Sequence, residues 1–356
     1  MRTLRLAPLV LVSLLSPSAC LAGDAAPAPV PAQSPPPGPI GFASSEAYGR
    51  KGTTGGAGGA VVTVSDSKAF LEAVAKPGPL VVRVSGRIAL PGPMHDVASD
   101  KTIEGVGADA TLAGGGLNIG GPIDKAATEP PKNAIGNVIV RNLTFEDSPD
   151  DSINLQAFAH HVWIDHNKFK PAHDGSLDIK RGSDCVTVSW NVFEKTDKTS
   201  LVGHDDGNEA QDKGRLRVTY HHNWFQETTQ RGPRVRFSPL VHVFNNRYTN
   251  VRGYGIAAAK GSQVLVEGNH FAGTKAPMLC RKYGPGRLVE RRNVFESSGA
   301  PETDGTVPEA KEFYAYVLDN PLDVPAIVEK GAGPGRMEAK PEAPPADRLI
   351  QVRGAV

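Results

Sequence analysis

The sequence predicts an all-β protein, a right-handed single-stranded parallel β-helix in which the chain winds as a solenoid. Three observations predict it: a short phrase that recurs, a nearly constant spacing, and an asparagine followed by an aromatic residue in every copy. The copies read VIVRNLTF, VWIDHNKF, VTVSWNVF, VTYHHNWF, VHVFNNRY, VLVEGNHF and LVERRNVF. Their asparagines are Asn142, Asn167, Asn191, Asn223, Asn246, Asn269 and Asn293, with spacings of 25, 24, 32, 23, 23 and 24 residues.

The spacing and the β-branched composition together favour one coil of the solenoid per repeat. Helical repeats do not fit these β-rich phrases, and the leucine-rich consensus is absent. Stacking coils in register brings the asparagines into an amide ladder and the aromatic residues into an inner column. A long stack of coils buries one continuous core, so a single domain is sufficient for this length.

The chain divides into four parts along its length. Residues 1–22 resemble a signal peptide, with two arginines, an apolar run and small residues before Ala22. Cleavage after Ala22 and lipidation of Cys20 are alternatives, although Pro17 stands where a lipidation motif prefers an apolar residue. Residues 23–39 form a Pro/Ala-rich linker, 40–300 form the β-helix domain, and 301–356 form a C-terminal capping segment and tail.

Composition bounds the partners that we expect. The formal net charge is +1, and removing Arg2 and Arg5 with the leader would make it −1, so attraction for a charged ligand must come from a local patch. No run after the N-terminus is apolar enough to span a membrane. We expect a secreted monomer with no nucleic-acid partner, or an outer-surface lipoprotein if Cys20 is modified. We expect Cys185 and Cys280 to be two buried thiols.

Three aspartates fall at matched positions of successive coils. Asp151 lies 9 residues after Asn142, and Asp174 and Asp178 lie 7 and 11 after Asn167. These offsets place the carboxylates on one face, where they repel each other unless a cation binds among them. Because carboxylate oxygens are the ligands that Ca²⁺ prefers, the pattern predicts a calcium site. The alternative is that each aspartate merely supports a turn.

Three cations fall in the same window of the next two coils. Lys198 lies 7 residues after Asn191, and Arg231 and Arg236 lie 8 and 13 after Asn223 in the segment QRGPRVRF. Stacked cations beside a calcium site are costly without an anionic ligand. The implied ligand is a polyanion with regularly spaced carboxylates, and the alternative is a set of solvated surface arginines.

These residues carry a family resemblance. The phrases GFASSEAYGRKGTTGGAGGAVVTV, NVIVRNLTF, VWIDHNKF, DGSLDIKRGSDCVTVSWNVF, VTYHHNWF and QRGPRVRF, with others between residues 40 and 298, resemble pectate lyase family 1. The resemblance implies a polysaccharide lyase that cleaves α-1,4-linked polygalacturonate by β-elimination. It implies calcium ligation by Asp151, Asp174 and Asp178, and proton abstraction from C5 by Arg231. It also implies that Lys198 and Arg236 bind substrate carboxylates.

The resemblance also assigns structural roles and shows departures. Asp165, His166 and the histidine pairs at 160–161 and 221–222 match structural segments, and no His/Cys spacing supports zinc. Where some relatives carry a further calcium ligand, this chain has Pro149, so Asp150 could substitute. A further basic residue of some relatives falls at Ala259, with Lys260 beside it.

Two alternatives to a pectate lyase remain open. A pectin lyase acting on methylated substrate shares the fold but lacks the calcium acids. A non-catalytic β-helix could bind acidic polysaccharide through the same face, although the retained arginine, lysine and aspartate set argues against it. A polygalacturonase β-helix would instead hydrolyse with a carboxylate pair, and the flanking phrases do not match that class.

Overall fold

A computed structural model describes residues 38–337 of the chain. The predicted leader, Cys20, most of the predicted linker and the end of the predicted tail lie outside the described residues. Within them the chain forms twenty-seven strands and three helices, together with 3₁₀ turns at Phe42–Ser44 and Ala310–Glu312. The helices are α1 (Ser67–Ala75), α2 (Glu209–Asp212) and α3 (Val324–Gly331).

The strands are short and follow one another at regular intervals. In chain order they are β1 (Ala60–Val64), β2 (Leu80–Val84), β3 (Arg87–Ala89), β4 (Met94–Asp96), β5 (Lys101–Gly105), β6 (Thr111–Ala113), β7 (Gly116–Ile119), β8 (Gly136–Arg141), β9 (Thr144–Glu146), β10 (Ile153–Leu155), β11 (His160–Asp165), β12 (Lys168–Phe169), β13 (Gly175–Ile179), β14 (Asp184–Ser189), β15 (Val192–Glu194), β16 (Lys198–Val202), β17 (Val218–His221), β18 (Trp224–Gln226), β19 (Arg234–Arg236), β20 (Val241–Phe244), β21 (Arg247–Thr249), β22 (Ile256–Ala259), β23 (Gln263–Glu267), β24 (His270–Ala272), β25 (Met278–Leu279), β26 (Arg287–Arg291) and β27 (Val294–Glu296).

The strands form three parallel sheets that confirm the predicted β-helix. The ten-stranded sheet runs β1-β2-β5-β8-β11-β14-β17-β20-β23-β26. The nine-stranded sheet runs from β3 to β27, and the eight-stranded sheet runs from β4 to β25. From β2 onwards successive strands enter different sheets, and every third strand returns to the same sheet one coil further on, while β1 pairs directly with β2. The recurring phrase therefore covers a strand of the ten-stranded sheet and the strand after it.

The asparagine ladder is present, with one correction. The backbone N–H and side-chain amide of each ladder asparagine donate to the side-chain oxygen of the next, at 2.8–3.1 Å from Asn167 through to Asn293. The prediction for Asn142 is wrong, because Leu143 occupies the ladder position and its N–H donates to Asn167. Asn142 instead donates to the carbonyls of Gly105 and Gly107. The asparagine of the first phrase is thus one residue out of register.

The predicted aromatic column is confirmed inside the solenoid. Neighbouring rings lie nearly parallel, with centroids 4.4–5.3 Å apart. The column consists of Phe145, Phe169, Phe193, Phe225, Tyr248, Phe271 and Phe295. Burial of each such side chain contributes about 1.5–3 kcal/mol, so the column is a large share of the core energy.

Two of the three outer faces are covered by the chain itself. Phe42 and Tyr314 pack on the ten-stranded sheet beside Phe244, while α3 packs on Trp190 and Val192 at the nine-stranded sheet. At the N-terminal end, α1 closes the core with Phe70, and its first turn is capped by Asp66. Among residues 38–337, the eight-stranded sheet contributes nothing to either outer cluster. Its outer face is therefore the one left available for a ligand.

No helix in the described range is both long and apolar enough to cross a membrane.

Candidate active site

The outer face of the eight-stranded sheet carries the predicted charged residues. Strand side chains alternate between the core and the outside. In β13 the residues on either side of Asp178 are in the core, so Asp178 points outwards. In β19 the core residue is Val235, so Arg234 and Arg236 point outwards. Strands β10, β13, β16 and β19 are neighbours in this sheet, which aligns their charges along the solenoid axis.

The predicted acids meet where β10 and β13 begin. Oxygen atoms of Asp150, Asp151 and Asp174 lie within 4.8 Å of one another. Asp178 faces the same space across Gly175, whose N–H donates to Asp151 Oδ1 at 2.8 Å. A Cβ added to Gly175 would lie 2.6 Å from that Oδ1 atom and 3.3 Å from Asp178 Oδ1. The structure therefore brings together Asp151, Asp174 and Asp178, and adds Asp150.

The two buried acids of this cluster are harder to ionise than ordinary aspartates. Burial, with the charge of Asp178 beside it, raises the pKa of Asp151 to about 7. Burial also raises the pKa of Asp178. Lys180 compensates in part, because its Nζ lies 3.2 Å from Asp178 and 3.4 Å from Asp151. The more exposed Asp174 behaves oppositely, since a hydrogen bond from Lys198 lowers its pKa.

The donor set fits a hard divalent cation. Asp178 Oδ1 is buried and has no hydrogen-bond partner among the described residues. Unpartnered buried carboxylate oxygens are costly, and a cation bound among them removes that cost. All four donors are carboxylates, the ligand type that suits Ca²⁺ or Mg²⁺ better than thiolate- or imidazole-seeking metals. Gly175 keeps the space between Asp151 and Asp178 open, because any side chain there would fill it.

The three predicted cations lie next to the acids, in the following two coils. Lys198 opens β16, and its Nζ lies 2.5 Å from Asp174 Oδ1. Arg236 is nearly buried and donates to Asp206 at 2.8 Å. Arg231 is half-buried and precedes β19, with a left-handed backbone at φ 61°. Its Nε is buried and has no hydrogen-bond partner in the described part of the chain. Arg231 is therefore the least engaged cation of the three.

Several charged residues of this face were missed by the sequence analysis. Lys180 lies 13 residues after Asn167, the same distance as Arg236 after Asn223. Counting from the asparagine of each coil could therefore have identified it. Asp206 lies in the loop between β16 and β17, where it also accepts from Lys260 at 3.2 Å. A loop residue has no fixed offset, so no sequence signal marked Asp206.

The residues that resembled structural segments lie away from this face. His166 and Asp165 are both buried, 2.6 Å apart, at the end of β11 in the ten-stranded sheet. Within the two histidine pairs the Nδ1 atoms lie 3.0 and 2.9 Å apart. Burial lowers the pKa values of His160, to about 4, and of His221. Such neutral, packed imidazoles support the structural assignment. Cys185 and Cys280 are buried free thiols, as predicted.

The chain matches the sequence model described as pectate lyase over residues 36–316. A pectate trisaccharide-lyase of Thermotoga maritima is 39% identical over 343 residues, which cover 84% of this chain and 89% of that protein. Pectate lyase A of Emericella nidulans is 35% identical over 292 residues, covering 79% of this chain and 83% of the relative.

Solved structures show the same architecture. A pectate lyase from Bacillus sp. N165, in complex with trigalacturonate, has a TM-score of 0.70 at 27% identity. Pectate lyase II from Xanthomonas campestris pv. campestris has a TM-score of 0.69 at 26% identity. Each of these comparisons covers 85% of this chain and 100% of the other.

Proposed function

This chain belongs to the pectate lyase family and is a polysaccharide lyase, and we propose that it cleaves polygalacturonate by calcium-dependent β-elimination on the outer face of the eight-stranded sheet. One observation carries the proposal: an all-carboxylate cluster lies directly beside Lys198, Arg231 and Arg236 on the uncovered face. The trigalacturonate bound to the Bacillus relative is a short form of the proposed substrate.

The charge pattern suits a polymer that carries one carboxylate per sugar. Lys198 and Arg236 are already paired with Asp174 and Asp206, at 2.5 and 2.8 Å. The Lys198–Asp174 pair is exposed on both sides, so exchanging Asp174 for a substrate carboxylate costs little, since exposed ion pairs contribute only about 0–1 kcal/mol. Arg236 is only 10% exposed, so a substrate carboxylate must take the place of the half-exposed Asp206. A neutral, fully esterified polymer would not compensate these cations, which disfavours the pectin lyase alternative.

Arg231 is the residue we propose as the base. It takes the proton from C5 of a galacturonate unit, and the electron pair forms the C4–C5 double bond. The bond from C4 to the glycosidic oxygen breaks, and the oxygen leaves with the bonding pair and takes up a proton from water. One product carries a 4,5-unsaturated end and the other a new reducing end. Because an arginine must be neutral to accept a proton, we expect an alkaline pH optimum. The Nε of Arg231 has no hydrogen-bond partner in the described residues, so no group of the protein itself occupies that nitrogen.

Asp150, Asp151, Asp174 and Asp178 would hold the calcium ion. When bound, the ion neutralises a substrate carboxylate and so makes the neighbouring C5 proton more acidic. Lys198 and Arg236 would donate hydrogen bonds to substrate carboxylates, which stabilises the negative charge that develops when the C5 proton is removed. Asp151 and Asp178 must be ionised to bind a cation, and the raised pKa of Asp151, about 7, also favours alkaline conditions.

The test is ultraviolet absorbance of the unsaturated product during incubation of the full chain with polygalacturonate, in calcium and in EDTA. We expect absorbance to rise in calcium only. New reducing ends without absorbance would show hydrolysis instead. No reaction in either assay, with a folded protein that still binds polygalacturonate, would favour the non-catalytic binding protein.

We also propose that the protein is exported as a monomer. Residues 1–22 would direct export, with either cleavage after Ala22 or lipidation of Cys20, and both sites precede the described residues. Mass spectrometry of the mature N-terminus distinguishes the two, because a lipidated Cys20 would carry acyl chains and become the first residue. A retained leader would contradict both forms of the proposal.

A further inference from the structure

The row of outward-facing charges stops abruptly one coil after β19. In the next strand, β22, Ala257 pairs with Arg234 and Ala259 pairs with Arg236. The core residues of β22 are Ile256 and Ala258, so Ala257 and Ala259 face outwards, on the same side as the arginines. Both alanines are nevertheless completely buried. Another part of the chain therefore covers the outer face of the sheet at this coil.

The cover consists of two loops that meet over β22. The loop 280–286 passes close to the end of β22, because a Cβ added to Gly284 would lie 3.2 Å from Cδ of Lys260, the residue that follows the strand. Tyr283 in this loop follows the C-terminal end of β25 and reaches Tyr254, which precedes the N-terminal end of β22. Their ring centroids lie 5.4 Å apart. The two tyrosines thus form a bridge across the face, directly above the strand that follows the arginines.

A cation–π contact fixes the tyrosine bridge next to the candidate active site. The Arg234 guanidinium lies 4.2 Å from the centroid of the Tyr283 ring, a cation–π contact that contributes about 0.5–2 kcal/mol. Tyr254 is 5% exposed, so its ring is fixed by packing. Arg234 lies between Arg231 and Arg236 in sequence and points outwards, which places the ring of Tyr283 next to the proposed catalytic residues.

We propose that Tyr283, fixed by Tyr254 and Arg234, is the end wall of the substrate cleft and limits how many galacturonate units bind beyond Arg231. The inference rests on the proposed function and adds a determinant of product length. A polymer that lies along the charged face meets the tyrosine bridge one coil after the arginines, because the alanine strand beneath the bridge is inaccessible. The wall restricts the sugar units on that side of the cut and gives a narrow range of product lengths.

The experiment compares the full chain with Tyr283→Ala, Tyr283→Phe and Lys282→Ala. Product lengths from polygalacturonate are measured by mass spectrometry at low conversion. We expect Tyr283→Ala to shift the products by at least about one unit towards longer chains. Tyr283→Phe keeps the ring and should match the unsubstituted protein. Lys282→Ala also keeps the ring but removes a cation 5.3 Å from its centroid, so it should leave the product lengths unchanged and lower only the affinity.

A second measurement separates this inference from the proposed reaction. Affinities for oligogalacturonates of increasing length are measured in calcium by calorimetry, which requires no turnover. We expect the affinity of the unsubstituted protein to stop rising at a shorter oligogalacturonate length than the affinity of Tyr283→Ala. If elimination is not observed but this difference is, the wall stands and the proposed reaction fails. The proposal would be overturned if the affinities of Tyr283→Ala and of the unsubstituted protein stopped rising at the same oligogalacturonate length. It would also be overturned if Tyr283→Ala gave unchanged products with a kcat/KM that is lower for every substrate length.

Discussion

Lys180 Nζ lies 3.2 Å from Asp178, which makes a lysine the cation that neutralises a buried carboxylate of the proposed calcium site. The same ammonium lies 3.4 Å from Asp151. Burial opposes the charge of Lys180, but the two acids raise its pKa, so the cluster holds this proton firmly. Lys180 and a bound cation therefore compensate the same pair of acids.

We predict that Lys180→Met lowers stability without calcium and strengthens calcium binding. Removing one partner of a buried ion pair costs about 3–5 kcal/mol, less whatever protonation of the acids recovers. Added calcium should restore most of this loss, so the rise in Tm from EDTA to calcium should be larger than in the unsubstituted protein. Thermal unfolding and calcium titration measure both quantities. An equal calcium-induced rise in the two proteins would contradict the shared compensation. Lys213→Met, in an exposed pair on α2, is the control.

We predict that Arg231→Lys abolishes turnover while leaving the fold intact. General base catalysis contributes about 10²–10⁴-fold, and a lysine places its nitrogen differently, so kcat should fall by at least about 10²-fold. The Tm should barely change, because no ion pair engages Arg231 within residues 38–337. The readout is the initial rate of ultraviolet absorbance beside a melting curve. Retention of most of the activity would exclude Arg231 as the base.

The ladder predicts unequal costs for two asparagine substitutions. Asn223 is fully buried, accepts from Asn191 and donates to Val188 and Asn246, so alanine would leave several buried groups unpaired. Each such group costs about 1–3 kcal/mol, and we expect Asn223→Ala to lose about 3–5 kcal/mol in free energy of unfolding. Asn133→Ala, at an exposed asparagine outside the ladder, should lose less. Urea denaturation measures both, and equal losses would show that the ladder carries no special stability.

Stability should fall as the pH decreases through the range of the buried histidines. Burial lowers the pKa of His160 to about 4, whereas an unfolded histidine titrates near 6.5. The unfolded state therefore binds the proton first, so the stabilisation is complete above about pH 6.5 and is lost as the pH falls towards 4. For His160 alone this amounts to about 3 kcal/mol. Urea midpoints between these pH values should fall less steeply in His160→Gln, and an unchanged slope would refute the assignment.

The repeat allowed most of the fold and of the site to be predicted. A coil length near 24 residues fixes which offsets face the same side, so Asp151, Asp174, Asp178, Lys198, Arg231 and Arg236 were found from sequence. The error at Asn142 arose because its coil places a leucine at the ladder position, and an asparagine beside it completes the same phrase. The sequence did carry a signal of this shift, because the aromatic residue of the column lies three residues after Asn142 but two residues after each of the other asparagines.

The walls of the cleft were beyond prediction for a different reason. Asp206, Tyr254 and Tyr283 lie in loops, where position depends on packing against other loops and not on the repeat. The contact between Tyr254 and Tyr283 joins residues of two different coils that lie at opposite ends of neighbouring strands. The repeat pattern of the sequence does not indicate a contact of this kind between two loops.

The longest repeat shows how this architecture can change its specificity. Between Asn191 and Asn223 the chain carries additional residues, including α2, in the loop between β16 and β17. Yet the two amides remain 3.0 Å apart, like the other members of the ladder. Insertions at the corners therefore leave the coil above and the coil below undisturbed. Evolution, or a designer, can therefore exchange such a loop without shifting the coils, provided that the new loop again supplies an acid for Arg236, as Asp206 does here.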